Sequence, residues 1–225
     1  MRLRSNSYHM LVSSLPALPP RFDVDRLPIT LERLQARLRM LEPEDADEIG
    51  RTLDVLRWGH QFEEASDAAV VERYRVLMRA VRNPLAREIL EHGMDVRMIA
   101  VALRCRRLGV GLPEVGLGQW FEHIRRHFNQ PGFRLGHVFP WIPEAQRLLE
   151  EGDLLDLYRR YVLGIPWAYY KKRAEDYVFR FEAVLLYIAR WDIIRRWREL
   201  EAERGREVFE TLVTEALGKH ANIYS

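Results

Sequence analysis

Apolar residues recur every three or four positions along most of the chain, which is the spacing of amphipathic α-helices. No segment sustains the alternation of apolar and polar residues that is typical of strands. We therefore expect an all-α fold, a multi-helix bundle. The pattern predicts helices at residues 31–41, 43–56, 63–82, 85–108, 120–128, 143–151, 154–163, 177–204 and 206–217.

The ends of these helices follow from capping and breaking residues. Thr30 is a predicted N-cap, and Asn83-Pro84 ends the third helix. Gly164 and Pro166 are expected to end the helix over 154–163, and Gly205 to cap or kink the long C-terminal helix.

The N-terminal segment departs from the helical pattern. Residues 8–15, YHMLVSSL, are apolar and few, and they predict a strand or a short extended segment. Residues 16–28 contain four prolines without a clear period, and we expect a loop there.

A glycine-rich stretch, GVGLPEVGLG at 109–118, is the best candidate for a domain boundary. It would connect an N-terminal lobe, 1–108, with a C-terminal lobe, 119–225, although one continuous domain is the alternative. No strand precedes its G-x-G, and the chain lacks a G-x-x-x-x-G-K-[ST] motif. We therefore predict no nucleotide or other cofactor.

Composition narrows the class of protein. Hydrophobic residues make up 48% and charged residues 30%, which is typical of a globular chain. The 35 basic and 33 acidic residues nearly balance, and nucleic-acid binders usually carry a clustered basic excess. The only cysteine, Cys105, permits no internal disulfide. Without a membrane-spanning stretch of about 18 apolar residues, we expect a cytoplasmic protein that touches a membrane only through partners.

His123 and His127 lie one helical turn apart and could supply two metal ligands. The sequence indicates no third ligand, and a solvated helix face is the favoured interpretation. A metal-dependent helical enzyme that uses this pair is kept as an alternative.

The segment 167–173 mixes aromatic and basic side chains. Such a mixture could stack and pair with single-stranded nucleic acid, and a nucleic-acid-binding helical module is a further alternative. It is also typical of protein interfaces, where Trp, Tyr and Arg dominate the binding energy. We favour the interface, with candidate residues Trp167, Tyr169, Tyr170, Lys171, Lys172 and Arg173.

Three stretches together resemble known helical proteins. The opening YHMLVSSLPAL resembles that of a family of unassigned function encoded among the subunits of bacterial V/A-type ATPases. The middle stretch MDVRMIAVALRCRRLG resembles both that family and the helical connector subunit of V/A-type ATPases in Asp95, Ile99, Leu103, Arg104 and Gly109. The C-terminal stretch resembles the first family in Glu182, Ala183, Tyr187, Arg195, Trp197 and Gly205.

This resemblance implies a part without catalytic or metal-binding residues. In a rotary ATPase, the connector joins the central rotor shaft to the membrane rotor ring. The expected partners are therefore the shaft and ring subunits, with the membrane reached only through the complex. The helix from Asp95 to Arg107 becomes a second candidate interface, with Arg104 within it. We also expect Asp95 and Arg104 to be structural partners inside the bundle.

Overall fold

The computed structural model of this 225-residue chain describes residues 8–57 and 67–221. Those residues form helices and loops without a β-strand, which confirms the all-α prediction. No helix in these two ranges is long and apolar enough to cross a bilayer. The α-helices are α1 (His9–Ser14), α2 (Leu31–Leu38), α3 (Pro43–Arg57), α4 (Asp67–Ala80), α5 (Pro84–Leu108), α6 (Phe121–Arg126), α7 (Ile142–Glu151), α8 (Leu154–Leu157), α9 (Gly164–Ala174) and α10 (Phe181–Ala221).

The prediction of an extended segment at residues 8–15 is wrong, because most of it forms α1. Tertiary contacts hold this short helix. The buried Tyr8 donates its hydroxyl to the carboxylate of Asp45 and its backbone N–H to the carbonyl of Phe179, at 2.6 Å. Leu11, one turn later, is also buried. Six residues are too few for periodicity to separate a helix from a strand.

Capping residues place the first long helices where the sequence predicts them. The Thr30 hydroxyl accepts the backbone N–H of Arg33 at 3.4 Å, and the Asn83 side chain accepts that of Ala86 at 3.1 Å. From Asn83, α5 runs unbroken through Gly93, because a helix interior tolerates glycine at a cost of about 1 kcal/mol. The Gly93 position faces the Tyr170 hydroxyl, 3.6 Å from where a Cβ would lie.

The helix end predicted at Gly164 and Pro166 is wrong. A π-helical turn, Tyr158–Leu163, leads directly from α8 into α9, which begins at Gly164. The N–H of Gly164 bonds to the carbonyl of Arg159, five residues earlier. Pro166 falls in the first turn of α9, where its missing N–H is tolerated.

The cap predicted at Gly205 is also wrong, because α10 continues to Ala221 as one helix. Its backbone is 41 residues long, or about 60 Å at the usual rise of about 1.5 Å per residue. The described side chains of α10 end at residue 202.

Two large apolar clusters form the core, and α5 contributes to both. The larger cluster joins α1, α3, α4, α9 and α10 to the first half of α5, ending at Met94. The smaller cluster joins the second half of α5, from Met98, to α6, α7 and Tyr161. The segment 109–118 follows α5 without regular structure. The division into lobes at that segment stays a prediction.

A buried ionic contact lies on the inner face of α10. Asp192 is fully buried, and its carboxylate lies 2.8 Å from Arg195 and 3.2 Å from Arg196. Arg97 of α5 is close enough that the charge of Arg196 adds to burial in lowering the pKa of Arg97. This cluster of charges stabilises the fold only while the arginines keep their carboxylate.

We expect Asp192→Ala to lower the free energy of unfolding by about 3–5 kcal/mol, because it leaves a buried arginine without its counter-ion. Urea unfolding followed by circular dichroism measures the loss. The control is Asp176→Ala, which removes an exposed partner of Arg173 and should cost at most about 1 kcal/mol. Equal losses for the two variants would contradict this role of Asp192.

Candidate functional site

Helix α9 divides the predicted interface segment 167–173 between the core and the surface. Trp167 and Tyr170 are buried, with only 5% and 1% of their surface exposed, so the prediction that they form an exposed anchor is wrong. Lys171 and Lys172 are exposed. Helical periodicity explains the split, since residues three apart lie on one face.

The buried aromatic rings stabilise the protein's own fold. Trp167 packs against the ring of Phe22, with centroids 5.9 Å apart, and the guanidinium of Arg190 lies 4.6 Å from its centroid. The Tyr170 hydroxyl donates to the carbonyl of Ile89 at 3.2 Å, and burial raises the pKa of Tyr170 to about 12. These two rings therefore offer no stacking platform for nucleic-acid bases, which counts against that alternative.

Tyr169 and Arg173 bind α5 across the bundle. The Tyr169 hydroxyl donates to the Glu88 carboxylate, and Arg173 Nε donates to the same group at 2.8 Å. Burial alone would raise the pKa of Glu88, but these two hydrogen bonds hold it below its ordinary value. His92 stacks on Tyr169 with centroids 4.1 Å apart, and burial lowers the pKa of His92.

The exposed side of α9 borders a pocket of about 320 Å³, which we call the basic pocket. Two predicted interface residues, Trp167 and Lys171, meet there. The rest of its lining comes from the loop before α2 and from the π-helical turn. The lining residues are Pro20, Arg21, Phe22, Asp23, Arg159, Arg160, Gly164, Trp167, Ala168 and Lys171.

Cations outnumber carboxylates in the basic pocket. Asp23 accepts from Arg21 Nε at 2.9 Å and from Arg159 Nη2 at 3.0 Å, and the hydrogen bond from Arg21 lowers the pKa of Asp23. Arg160 lies 2.6 Å from Asp156, and Lys171 Nζ lies 3.5 Å from the carbonyl of Pro20. Four basic side chains thus line the pocket against one acidic one. Such a concavity suits an acidic group on a partner.

The π-helical turn brings these groups together. A Cβ at Gly164 would lie 3.0 Å from the carbonyl oxygen of Arg159 and 3.9 Å from the ring of Phe22. Glycine therefore allows the turn and the proline-rich loop to approach each other closely. The sequence prediction missed Arg21, Arg159 and Arg160, because the loop and the turn lie far apart in the chain.

The second predicted interface, on α5, does not join the first. Asp95 is buried, and it accepts from Gln119 Nε2 at 3.0 Å and from the backbone N–H of Trp120 at 3.3 Å. Arg104 and Arg107 are exposed. The predicted pairing of Asp95 with Arg104 is wrong, since nine residues of helix separate them by about 13 Å.

His123 and His127 lie side by side, with ring centroids 4.5 Å apart. His123 Nε2 lies 3.0 Å from the carbonyl of Phe133, a contact that fixes the His123 ring within the protein. Among the described residues, no group of three or more His, Cys, Asp or Glu side chains could hold a metal ion.

We expect acidification to destabilise the protein partly through His92. Its pKa in the folded state lies below the ordinary 6.5, so the unfolded chain binds the proton first as the pH falls through 6.5. The free energy of unfolding should fall less for His92→Phe than for the wild type between about pH 7.5 and pH 5.5. Urea unfolding at several pH values measures the difference.

The matched control is His137→Phe, because His137 is exposed. Its pH dependence should follow that of the wild type. If His92→Phe also follows the wild type, the stacked imidazole has no part in the acid sensitivity.

Gly118 allows the segment 109–118 to close over Asp95. Its φ is +83°, and a Cβ there would lie 2.3 Å from Asp95 Oδ1. We expect Gly118→Ala to lower the free energy of unfolding by about 2 kcal/mol or more, from backbone strain and this overlap. Gly111→Ala, where a Cβ would meet open space, should stay within about 0.5 kcal/mol of the wild type. Thermal and urea unfolding measure both variants, and a harmless Gly118→Ala would contradict the close approach.

Comparisons with known proteins give one match. No curated protein and no solved structure matches the chain. Residues 80–219, more than half of the chain, match a family described as "Protein of unknown function (DUF2764)". This range includes α5, the π-helical turn, α9 and most of α10. The chain therefore belongs to the DUF2764 family.

Proposed function

We propose that this protein is a non-catalytic component associated with a V/A-type ATPase. It acts as a connector between the central rotor shaft and the membrane rotor ring. It works in the cytoplasm and reaches the inner membrane only through the complex. The resemblance of its opening, middle and C-terminal stretches to such proteins motivates the proposal.

The basic pocket is the observation that supports a docking function best. Four cationic side chains from two distant segments and from α9 line it, and the buried Trp167 closes its inner side. Charge complementarity favours a partner surface with a protruding Asp or Glu. The carbonyl contact of Lys171, at 3.5 Å, is weak enough for an incoming carboxylate to replace it.

A connector also requires a second surface and a body that transmits force. The exposed Arg104 and Arg107 lie near the end of α5, away in sequence from the basic pocket. Between these regions, α5 contributes to both apolar clusters. Close-packed cores have low compressibility, so displacement at one surface reaches the other with little loss.

We expect the double variant Arg160→Glu/Lys171→Glu to lose at least about tenfold in affinity for the rotor proteins, because two cations of the pocket become like charges to an acidic partner. Co-purification with the separately expressed shaft and ring proteins detects the interaction, and surface plasmon resonance measures it. Binding should also weaken as the salt concentration rises.

The matched control is Arg125→Glu/Arg126→Glu, which reverses two exposed charges on α6 and changes the net charge equally. This control should bind as the wild type does. Failure of the wild-type protein to bind either the shaft or the ring would overturn the connector proposal. Equal losses in both double variants would remove the basic pocket from it.

A further inference from the structure

A second cavity lies between the loop after α1 and helices α9 and α10. It has a volume of about 220 Å³, and we call it the Arg190 pocket. Its walls are almost entirely apolar, and two polar side chains of α10, Tyr187 and Arg190, lie among them. The apolar walls are Val12, Leu15, Pro16, Ala17, Leu18, Ala174 and Ala183.

Both polar side chains have hydrogen-bonding groups without a partner. The Tyr187 hydroxyl and Arg190 Nε are shielded from solvent and make no hydrogen bond in the described part of the chain. No carboxylate of the described residues lies within ion-pair distance of Arg190, which instead stacks on Trp167. Because a buried donor without an acceptor destabilises a protein, an acceptor that enters the pocket would be stabilising.

The charges around the pocket select for an anion. Arg37 and Arg190 both lie close enough to Tyr187 to act on its ionisation, and burial raises the pKa of Tyr187 to about 12. The phenol therefore keeps its proton and can donate it. Two arginines and a phenol form a donor set for a carboxylate, which accepts several hydrogen bonds at once.

The volume and the walls limit the rest of the ligand. A dry cavity of about 150 Å³ can hold benzene, with its six carbons. The 220 Å³ of the Arg190 pocket can therefore hold a ligand that is slightly larger. Its apolar walls favour an unbranched or singly branched aliphatic chain over a polar one.

We propose that the Arg190 pocket binds a free small monocarboxylic acid, with its carboxylate on Arg190 and its aliphatic chain against the apolar walls. This site is separate from the basic pocket and does not depend on the proposed role in a rotary ATPase. Trp167 is the residue that the two sites share, because its ring lines the basic pocket and also carries the guanidinium of Arg190.

Hexanoate and its neutral analogue hexanamide test this site on the full chain. Isothermal titration calorimetry should show saturable binding of hexanoate and binding of hexanamide that is at least about tenfold weaker, because the amide lacks the charge. In ¹⁵N-resolved NMR spectra, the Arg190 Nε–Hε signal, assigned from its loss in Arg190→Lys, should shift as hexanoate is added.

Arg190→Lys itself disturbs the stacking on Trp167, so a second variant keeps the arginine and fills the cavity. Ala183→Leu should abolish hexanoate binding while its circular dichroism spectrum stays that of the wild type. Absence of hexanoate binding, equal binding of hexanamide, or unchanged binding by a folded Ala183→Leu variant would each overturn the proposal.

Discussion

The position of Asp192 constrains the rest of this fold. A carboxylate with no exposed surface holds two arginines of its own helix, and a third arginine approaches from α5. Such an arrangement is stable only if α10 keeps one rotation about its axis, since any other would leave charges buried without partners. That rotation also turns Tyr187 and Arg190 toward the loop after α1. The Arg190 pocket therefore depends on the same helix orientation as the ionic contact.

Sequence periodicity predicts the all-α class and the positions of α2 to α7 within a few residues, because caps such as Thr30 and Asn83 act locally. It fails at α1 and at the π-helical turn. At α1, tertiary contacts of Tyr8 with Asp45 and Phe179 decide the structure of a short segment. At Gly164, the backbone continues by a change of hydrogen-bond register that residue propensities do not encode.

The candidate sites show the same limit. The pattern around 167–173 identifies Lys171 as exposed and basic, but it does not separate Lys171 from Trp167 or Tyr170, which are buried beside it. The residues that complete the basic pocket come from positions near 20 and near 160, and only the tertiary fold places them together. The cavity at Arg190 could not be predicted either, because it depends on how three separate segments leave a space unfilled.

The π-helical turn has a further consequence for the chain's tolerance of length changes. Its wider loop holds one residue more than an α-helical path between α8 and α9 would need. Removal of a single residue there would rotate everything after it by about 100° relative to α8, the angle that one residue spans in an α-helix. Trp167 would then face solvent and Lys171 would turn away from the proline-rich loop. The spacing between Tyr158 and Gly164 is therefore as much a part of the docking surface as the charges themselves.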